Sequence, residues 1–243
     1  SEILFHSLVE NLPQNIFRKD AAGRFTFANT RFCEELGKPR REIIGKTDFD
    51  FFPADLADKY SFGEVRSTHQ QNLVLADVEQ TQLKDLWHSL QKAGLATANI
   101  GYLTDMICCP GGDYCSLANA KSITVAEAIQ SRFDDMDYVY DLGPLELNVS
   151  GCMNACGHHH IGHIGILGVD KKGQEFYQVS LGGHQGKDAS IGKILGPSFK
   201  QDDMPEVIDK LLTTFVGLRQ QEETFLETYR RVGIGPFKER VYA

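Results

Sequence analysis

Residues 107–120 read ICCPGGDYCSLANA, and residues 148–160 read NVSGCMNACGHHH. Five residues separate Cys109 from Cys115 in the first stretch, and three separate Cys152 from Cys156 in the second. Two loops therefore supply four thiolates, the number of protein ligands that a [4Fe–4S] cube requires. Both stretches are rich in glycine and alanine, so their backbone can approach an inorganic core closely. The spacing predicts a fold that brings these two loops together.

The residues alone leave two other interpretations of these cysteines open. Cysteine is often a buried, unliganded packing residue. Four cysteines can also form a tetrahedral zinc site, and four histidines stand nearby: His158, His159, His160 and His163. Pairs of zinc ligands usually have about two to four residues between them, so the five-residue gap is less typical of zinc. The iron–sulfur interpretation explains both gaps and both sequence contexts, and we favour it.

The two cysteine stretches together resemble those of the sulfite and nitrite reductase haemoproteins, and the resemblance covers roughly residues 62–243. It implies an α+β fold with a sirohaem and [4Fe–4S] binding domain over residues 99–243. Part of a ferredoxin-like unit, residues 61–98, precedes this domain. The family places its first ligand directly before the proline, which selects Cys109 over Cys108, and its last cysteine, here Cys156, bridges the cluster to the sirohaem iron. Cys108 and Cys33 are then interpreted as packing cysteines.

The resemblance also implies cofactor contacts outside the cysteines. It places three polar residues in a strand that faces the tetrapyrrole: Arg66, Gln71 and Asn72. Arg66 among them is the predicted catalytic contact. Asn154 matches an asparagine between the family's second pair of ligands, and the pair Gly182 and Gly183 resembles a loop that approaches sirohaem. Without the family, the three polar residues would be interpreted as an ordinary solvated strand face.

Residues 1–60 resemble a different family. IFRKDAAGRFTFANTRF (16–32) and GKTDFDFFP (45–53) resemble the opening of a PAS sensor domain. Strands are predicted around 15–19 and 24–28, followed by a helix over 29–36. The remaining strands of a PAS sheet are expected after residue 60, where the reductase-like part begins instead. We therefore interpret residues 1–60 as an incomplete PAS-like α/β segment, which either a gene fusion or absent intervening residues would produce.

Periodicity predicts further elements in the reductase-like part. We expect an amphipathic helix over 79–95, a capping box formed by Thr124 and Glu127, and a strand over 145–149. A hairpin is predicted from 160–169 and 174–181 around the turn at Gly173. A final long helix is predicted to begin near residue 202 or 203 with Pro205 in its first turn. Five of its residues form a buried apolar stripe: Val207, Ile208, Leu211, Leu212 and Phe215.

Composition restricts the class of protein. The net charge of −8 argues against a nucleic-acid-binding surface. No apolar run is long enough to span a bilayer, the first residues lack a signal-peptide pattern, and six cysteines are too few for a disulfide scaffold. These observations predict a cytoplasmic protein with no membrane partner. No flavin or nicotinamide fingerprint is present, so the predicted electron donor is a ferredoxin or a separate flavoprotein.

The resemblance implies a sulfite reductase haemoprotein, which reduces sulfite to sulfide with six electrons at a sirohaem coupled to a [4Fe–4S] cluster. Nitrite, reduced to ammonia, is the alternative anion. Two further classes stay open: a PAS-linked iron–sulfur redox sensor and a non-catalytic half-reductase. In the family, the basic substrate-binding cluster comes largely from a first half that is not visible here. A complete active site within this single chain is therefore not expected, although all four proposed cluster ligands are present.

Overall fold

The computed structural model describes residues 17–20, 24–35, 38–46, 59, 61 and 63–243. The chain divides into two compact units, Ser1–Thr97 and Ala98–Ala243. The predicted cluster cysteines all belong to the second unit.

A short hairpin opens the described part of the first unit. Strand β1 (Phe17–Lys19) pairs antiparallel with strand β2 (Phe25–Ala28). The Asp20 carboxylate accepts the Arg24 N–H at 2.9 Å and so ties the two strands together at the turn. The predicted strands around 15–19 and 24–28 are confirmed, apart from residues 15 and 16, which lie outside the described residues.

Two short helices follow the hairpin, α1 (Thr30–Glu35) and α2 (Arg40–Ile43). The side chain of Asn29 accepts the Phe32 N–H at 3.1 Å, as an N-cap residue does at the start of a helix. The predicted end of helix α1, at residues 36 and 37, lies outside the described residues. A small core joins hairpin and helices, and its members are Phe25, Ala28 and Ile43, with Phe32 and Cys33 packed against them.

A second hairpin and one longer helix form the rest of the described first unit. Strand β3 (Val65–Ser67) pairs antiparallel with strand β4 (Leu73–Leu75). Helix α3 (Leu83–Lys92) follows one turn of 3₁₀ helix, Gln80–Gln82. The helix predicted over 79–95 is confirmed, with both ends somewhat shorter.

The second unit is built on a five-stranded mixed sheet with the strand order β5-β6-β7-β8-β9. The strands are β5 (Ile107–Cys108), β6 (Leu147–Ser150), β7 (Ile164–Asp170), β8 (Glu175–Leu181) and β9 (Lys193–Ile194). The first three run parallel, whereas β7, β8 and β9 pair antiparallel. The predicted hairpin around Gly173 is therefore confirmed, and the carboxyl ends of β5, β6 and β7 lie at the same edge of the sheet.

Helices cover this sheet and supply most of its core. They are α4 (Gly111–Tyr114), α5 (Ile123–Arg132), α6 (Met136–Leu142), α7 (Met204–Leu218), α8 (Phe225–Val232) and α9 (Gly235–Tyr242). The predicted final long helix is α7, with Pro205 in its first turn, and two shorter helices that were not predicted, α8 and α9, follow it. All five residues of its predicted apolar stripe are buried, and each such side chain contributes about 1.5–3 kcal/mol when fully removed from water.

No helix in the described part of the chain combines the length and apolar character that a bilayer span requires.

Candidate metal centre

The two cysteine loops leave the sheet from neighbouring parallel strands. Cys109 directly follows β5, and its N–H donates to the carbonyl of Val149 in β6 at 3.0 Å. Cys152 lies two residues beyond the end of β6. Because the carboxyl ends of parallel strands share one edge of a sheet, this topology brings both predicted ligand pairs to that edge.

Backbone hydrogen bonds join the two loops directly. The carbonyl of Gly151, in the second loop, accepts the N–H groups of Asn119 and Ala120 at 2.9 and 3.0 Å. Within the first loop, Gly112 donates its N–H to the carbonyl of Ala120 at 2.8 Å. Main-chain hydrogen bonds therefore connect the two loops to one another.

Three glycines allow this close approach. A Cβ atom at Gly151 would lie 2.6 Å from the carbonyl oxygen of Ala120. A Cβ atom at Gly157 would overlap the carbonyl oxygen of Val149, and one at Gly111 would overlap the hydroxyl of Ser122. Gly111 also has a φ of +55°, a conformation that residues with a side chain rarely adopt. These three glycines are thus required by the packing of the loops.

The four cysteines differ in exposure. Cys109 and Cys152 are buried, Cys115 is half-buried, and Cys156 is exposed. Cys156 is therefore the thiol of the four with the most room for contact with a second group.

The sulfur of Cys109 has the environment of a thiolate ligand. It accepts the N–H of Gly151 at 3.1 Å and lies 3.5 Å from the hydroxyl oxygen of Ser122. A thiolate, the form of cysteine that binds iron, can accept both hydrogen bonds. This donor set, with four sulfurs from two adjoining loops, fits a [4Fe–4S] cluster.

In the ranges that the structure describes, no three His, Cys, Asp or Glu side chains are grouped closely enough to hold a metal ion. A [4Fe–4S] cube has one cysteine on each of its irons. Its ligands surround an inorganic core and do not have to converge on one ion.

Cys108 lies in a different environment from its neighbour. Its thiol donates to the carbonyl of Cys109 at 3.3 Å. Burial raises the pKa of Cys108 to about 12, and the nearby Cys109 contributes to this shift. Both observations support the predicted packing role.

The start of helix α5 differs from the prediction. The capping box at Thr124 and Glu127 is wrong, because the helix begins at Ile123 and the side chain of its N-cap residue, Ser122, makes no capping bond. The Asp113 carboxylate, from the first cysteine loop, accepts the Ile123 N–H at 3.1 Å and the Thr124 hydroxyl at 3.2 Å. Sequence reasoning missed both Asp113 and Ser122, because a cap supplied from ten residues away leaves no local pattern.

His163 is turned into the protein. Its Nδ1 accepts the Glu146 N–H at 3.1 Å, and its Nε2 lies 3.4 Å from Nδ1 of His184. In the neutral ring the proton is then on Nε2, which donates to His184. His163 therefore links the start of β7 to the segment that follows β8.

We expect His163 to make stability depend on pH. Burial holds its pKa below the ordinary 6.5, with Glu146 acting to raise it and His184 and Arg230 acting to lower it. The unfolded chain then binds a proton more readily than the folded protein, so the stability present above pH 6.5 is lost as the pH falls below that value.

Urea unfolding of the wild type and of His163→Gln between about pH 8 and 5 measures this effect. The wild type should lose more unfolding free energy over the lower half of the range than the variant. Equal pH slopes would contradict the assignment.

The two predicted glycine contacts are buried inside the second unit. Gly182 has a φ of +82°, and a Cβ atom there would overlap the ring of Tyr229. A Cβ atom at Gly183 would lie 2.5 Å from the carbonyl oxygen of Gly162. Internal packing thus already requires both glycines, and their contact with sirohaem stays a prediction. Asn154 is exposed between Cys152 and Cys156.

The three polar residues assigned to the tetrapyrrole belong to the first unit. Arg66 lies in β3 as predicted, is exposed, and donates from Nε to the Glu64 carboxylate at 2.6 Å. Gln71 and Asn72 were predicted in the same strand, and that placement is wrong. Both lie in the turn between β3 and β4, where Gln71 has a φ of +65° and Asn72 donates its N–H to the Thr68 hydroxyl.

Comparison with known proteins identifies two family matches. Residues 102–243 match the family described as "Nitrite and sulphite reductase 4Fe-4S domain". Residues 9–85 match the family described as "PAS fold". The second match extends beyond residue 60, at which the sequence interpretation ended the PAS-like segment. The predicted domain boundaries stay predictions.

Similar proteins include reductases of both anions. The chain is 30% identical over 184 residues to "Sulfite reductase [ferredoxin]" of Mycobacterium tuberculosis, covering 72% of this chain and 33% of the relative. It is 30% identical over 167 residues to "Ferredoxin--nitrite reductase" of Synechococcus elongatus, covering 65% and 31%. The solved structure of the Mycobacterium tuberculosis NirA protein is similar with a TM-score of 0.65 and 27% identity, covering 78% of this chain and 36% of that one. The chain spans about a third of the length of the curated relatives that it matches.

Proposed function

The chain belongs to the nitrite and sulphite reductase 4Fe-4S domain family, and from this we propose that it holds a [4Fe–4S] cluster and a sirohaem and reduces sulfite to sulfide with six electrons. The observation that carries the proposal is the pair of cysteine loops joined by backbone bonds at one sheet edge, with two hydrogen-bond donors near the Cys109 sulfur. When bound, the two groups supply the electron transfer and anion binding that side chains cannot provide.

Three of the four proposed ligands are buried or half-buried, and the fourth is exposed. Cys109, Cys115 and Cys152 hold the cluster against the domain, since they are buried or half-buried. Cys156 is exposed, which supports its proposed role as the thiolate shared with the sirohaem iron. Gly157 keeps this cysteine close to the sheet, because its missing side chain lets the backbone lie against Val149.

The proposed anion contact is Arg66. Its Nε donates to Glu64, and this carboxylate raises the pKa of the guanidinium, which stays charged. A guanidinium carries five N–H donors, so one bond to Glu64 leaves donors for an anion or for a tetrapyrrole carboxylate. Gln71, Asn72 and Asn154 are the proposed further cofactor contacts, together with Gly182 and Gly183.

The proposed electron donor is a ferredoxin. The support is that relatives at 30% identity carry ferredoxin in their names. A flavoprotein donor is the alternative, and comparison of the two reduced donors in one assay decides between them.

Metal analysis of protein purified anaerobically tests the cofactor proposal. We expect about four iron and four acid-labile sulfide per chain, with sirohaem absorption after reconstitution. Zinc without labile sulfide would overturn the proposal.

The bridging role of Cys156 predicts a spectroscopic property. A thiolate shared between two iron centres couples their spins, so EPR and Mössbauer spectra of the reconstituted protein should show magnetic interaction between cluster and haem. Bound sirohaem whose spectrum is independent of the cluster would show that Cys156 holds the cluster alone.

Nitrite is the second candidate substrate, favoured by the nitrite reductase relative at 30% identity. Steady-state assays with reduced ferredoxin and each anion separate the two, and we expect the higher kcat/KM for sulfite. A complete cluster with neither activity would instead support the half-reductase.

The PAS match favours a redox sensor as a further candidate, and a change in protease cleavage of residues 1–97 on cluster reduction would support it.

A further inference from the structure

Ser122 stands at a helix start without capping the helix. It is the N-cap residue of α5, a position where a serine hydroxyl ordinarily accepts a backbone N–H of the first turn. Here the Asp113 carboxylate accepts the N–H of Ile123 and the hydroxyl of Thr124. Ser122 is thereby left available for another partner.

That partner is a proposed cluster ligand. Ser122 is fully buried, and its hydroxyl oxygen lies 3.5 Å from the sulfur of Cys109. This sulfur is the hydroxyl's hydrogen-bond partner in the part of the chain that the structure describes. A buried hydroxyl is costly to leave unpaired, so the contact is kept in the folded protein.

Binding of iron would fix the direction of this hydrogen bond. Between a thiol and a hydroxyl either group can donate, whereas a thiolate can only accept. The ligand form of cysteine is the thiolate, so the hydroxyl of Ser122 then has to be the donor. Gly151 donates its N–H to the same sulfur at 3.1 Å.

Cys109 differs from the other three proposed ligands in the hydrogen bonds that its sulfur makes. Within the described residues, the sulfurs of Cys115, Cys152 and Cys156 receive no hydrogen bond, whereas the Cys109 sulfur has two hydrogen-bond partners, the Gly151 N–H and the Ser122 hydroxyl. Reduction of an iron–sulfur cluster adds negative charge that its thiolates share. Donors aimed at a thiolate stabilise the reduced state more than the oxidised state and so raise the reduction potential.

We infer that Ser122 is a redox-tuning residue, whose hydroxyl donates to the Cys109 thiolate and raises the reduction potential of the cluster. The inference rests on the proposed ligand set. It assigns Ser122 a positioning role, since the side chain acts through Cys109.

A redox titration followed by EPR tests the inference on the full chain with its cluster. Ser122→Ala should keep the iron and sulfide content and lower the midpoint potential. Ser122→Thr keeps a hydroxyl and should return the potential towards the wild-type value. Ser180→Ala is the matched control, because Ser180 is also buried in this unit and bonds to the backbone carbonyl of Gly165. The midpoint potential of the cluster in this variant should equal that of the wild type.

A second measurement does not depend on any variant folding. ENDOR spectra of the reduced wild-type cluster after exchange into deuterated water should show two exchangeable couplings at the cluster, one from Gly151 and one from Ser122. A single coupling would overturn the inference and leave the proposed function intact. An unchanged potential in Ser122→Ala with a full cluster would do the same. Wild-type protein without labile sulfide overturns the proposed function, and the inference with it.

Discussion

Replacing any one of the four proposed ligands by serine is expected to abolish the cluster or reduce its content severely. The variants are Cys109→Ser, Cys115→Ser, Cys152→Ser and Cys156→Ser. Each iron of the cube depends on one cysteine, and Cys108, the one further thiol in the two stretches, bonds to the carbonyl of Cys109 instead. Iron and labile sulfide analysis of anaerobically purified variants measures the loss.

Cys33→Ser and Cys108→Ser are the controls, and both should retain the cluster. Cys33 packs in the small core of the first unit, and the Cys108 thiol bonds to a backbone carbonyl. A cluster lost in Cys108→Ser but kept in Cys109→Ser would show that Cys108, and not Cys109, is the first ligand.

Gly157→Ala is expected to destabilise the second unit and to prevent cluster binding. The added Cβ would overlap the carbonyl oxygen of Val149 in β6, and this backbone atom cannot rotate away as a flexible side chain could. Forcing extra atoms into a packed site costs about 1–3 kcal/mol, and more where the obstacle is rigid. Chemical unfolding and iron analysis of the variant measure the two effects.

The matched control is Gly217→Ala. Gly217 lies in α7, and a Cβ atom there meets no atom within 4 Å. Alanine in a helix is more stable than glycine by up to about 1 kcal/mol, so this variant should be as stable as the wild type or slightly more stable. Equal stability of the Gly157 and Gly217 variants would refute the packing role of Gly157.

Elements whose pattern is local were predictable from the sequence. Helix α7 was found because an apolar stripe at helical spacing follows Pro205, and every residue of that stripe is buried. The β7–β8 hairpin was found because Gly173 supplies the positive φ, +79°, of its turn. The two cysteine loops were predicted to lie together because a cluster needs four thiolates, and main-chain hydrogen bonds do join them.

Features that depend on distant residues were not predictable. β5 has only two residues, so its parallel pairing with β6 has almost no local pattern. The cap on α5 comes from Asp113 in another segment. Gln71 occupies a positive-φ position that glycine more often fills, and this concealed the turn between β3 and β4.

The carbonyl of Gly151 accepts N–H groups from Asn119 and Ala120, and the donors and the acceptor of these bonds are all main-chain atoms. A substitution that changes only a side chain in either loop therefore leaves the bonds in place. Side chains around the cysteines can vary, and with them the properties of the proposed cluster, while the two loops keep their spacing.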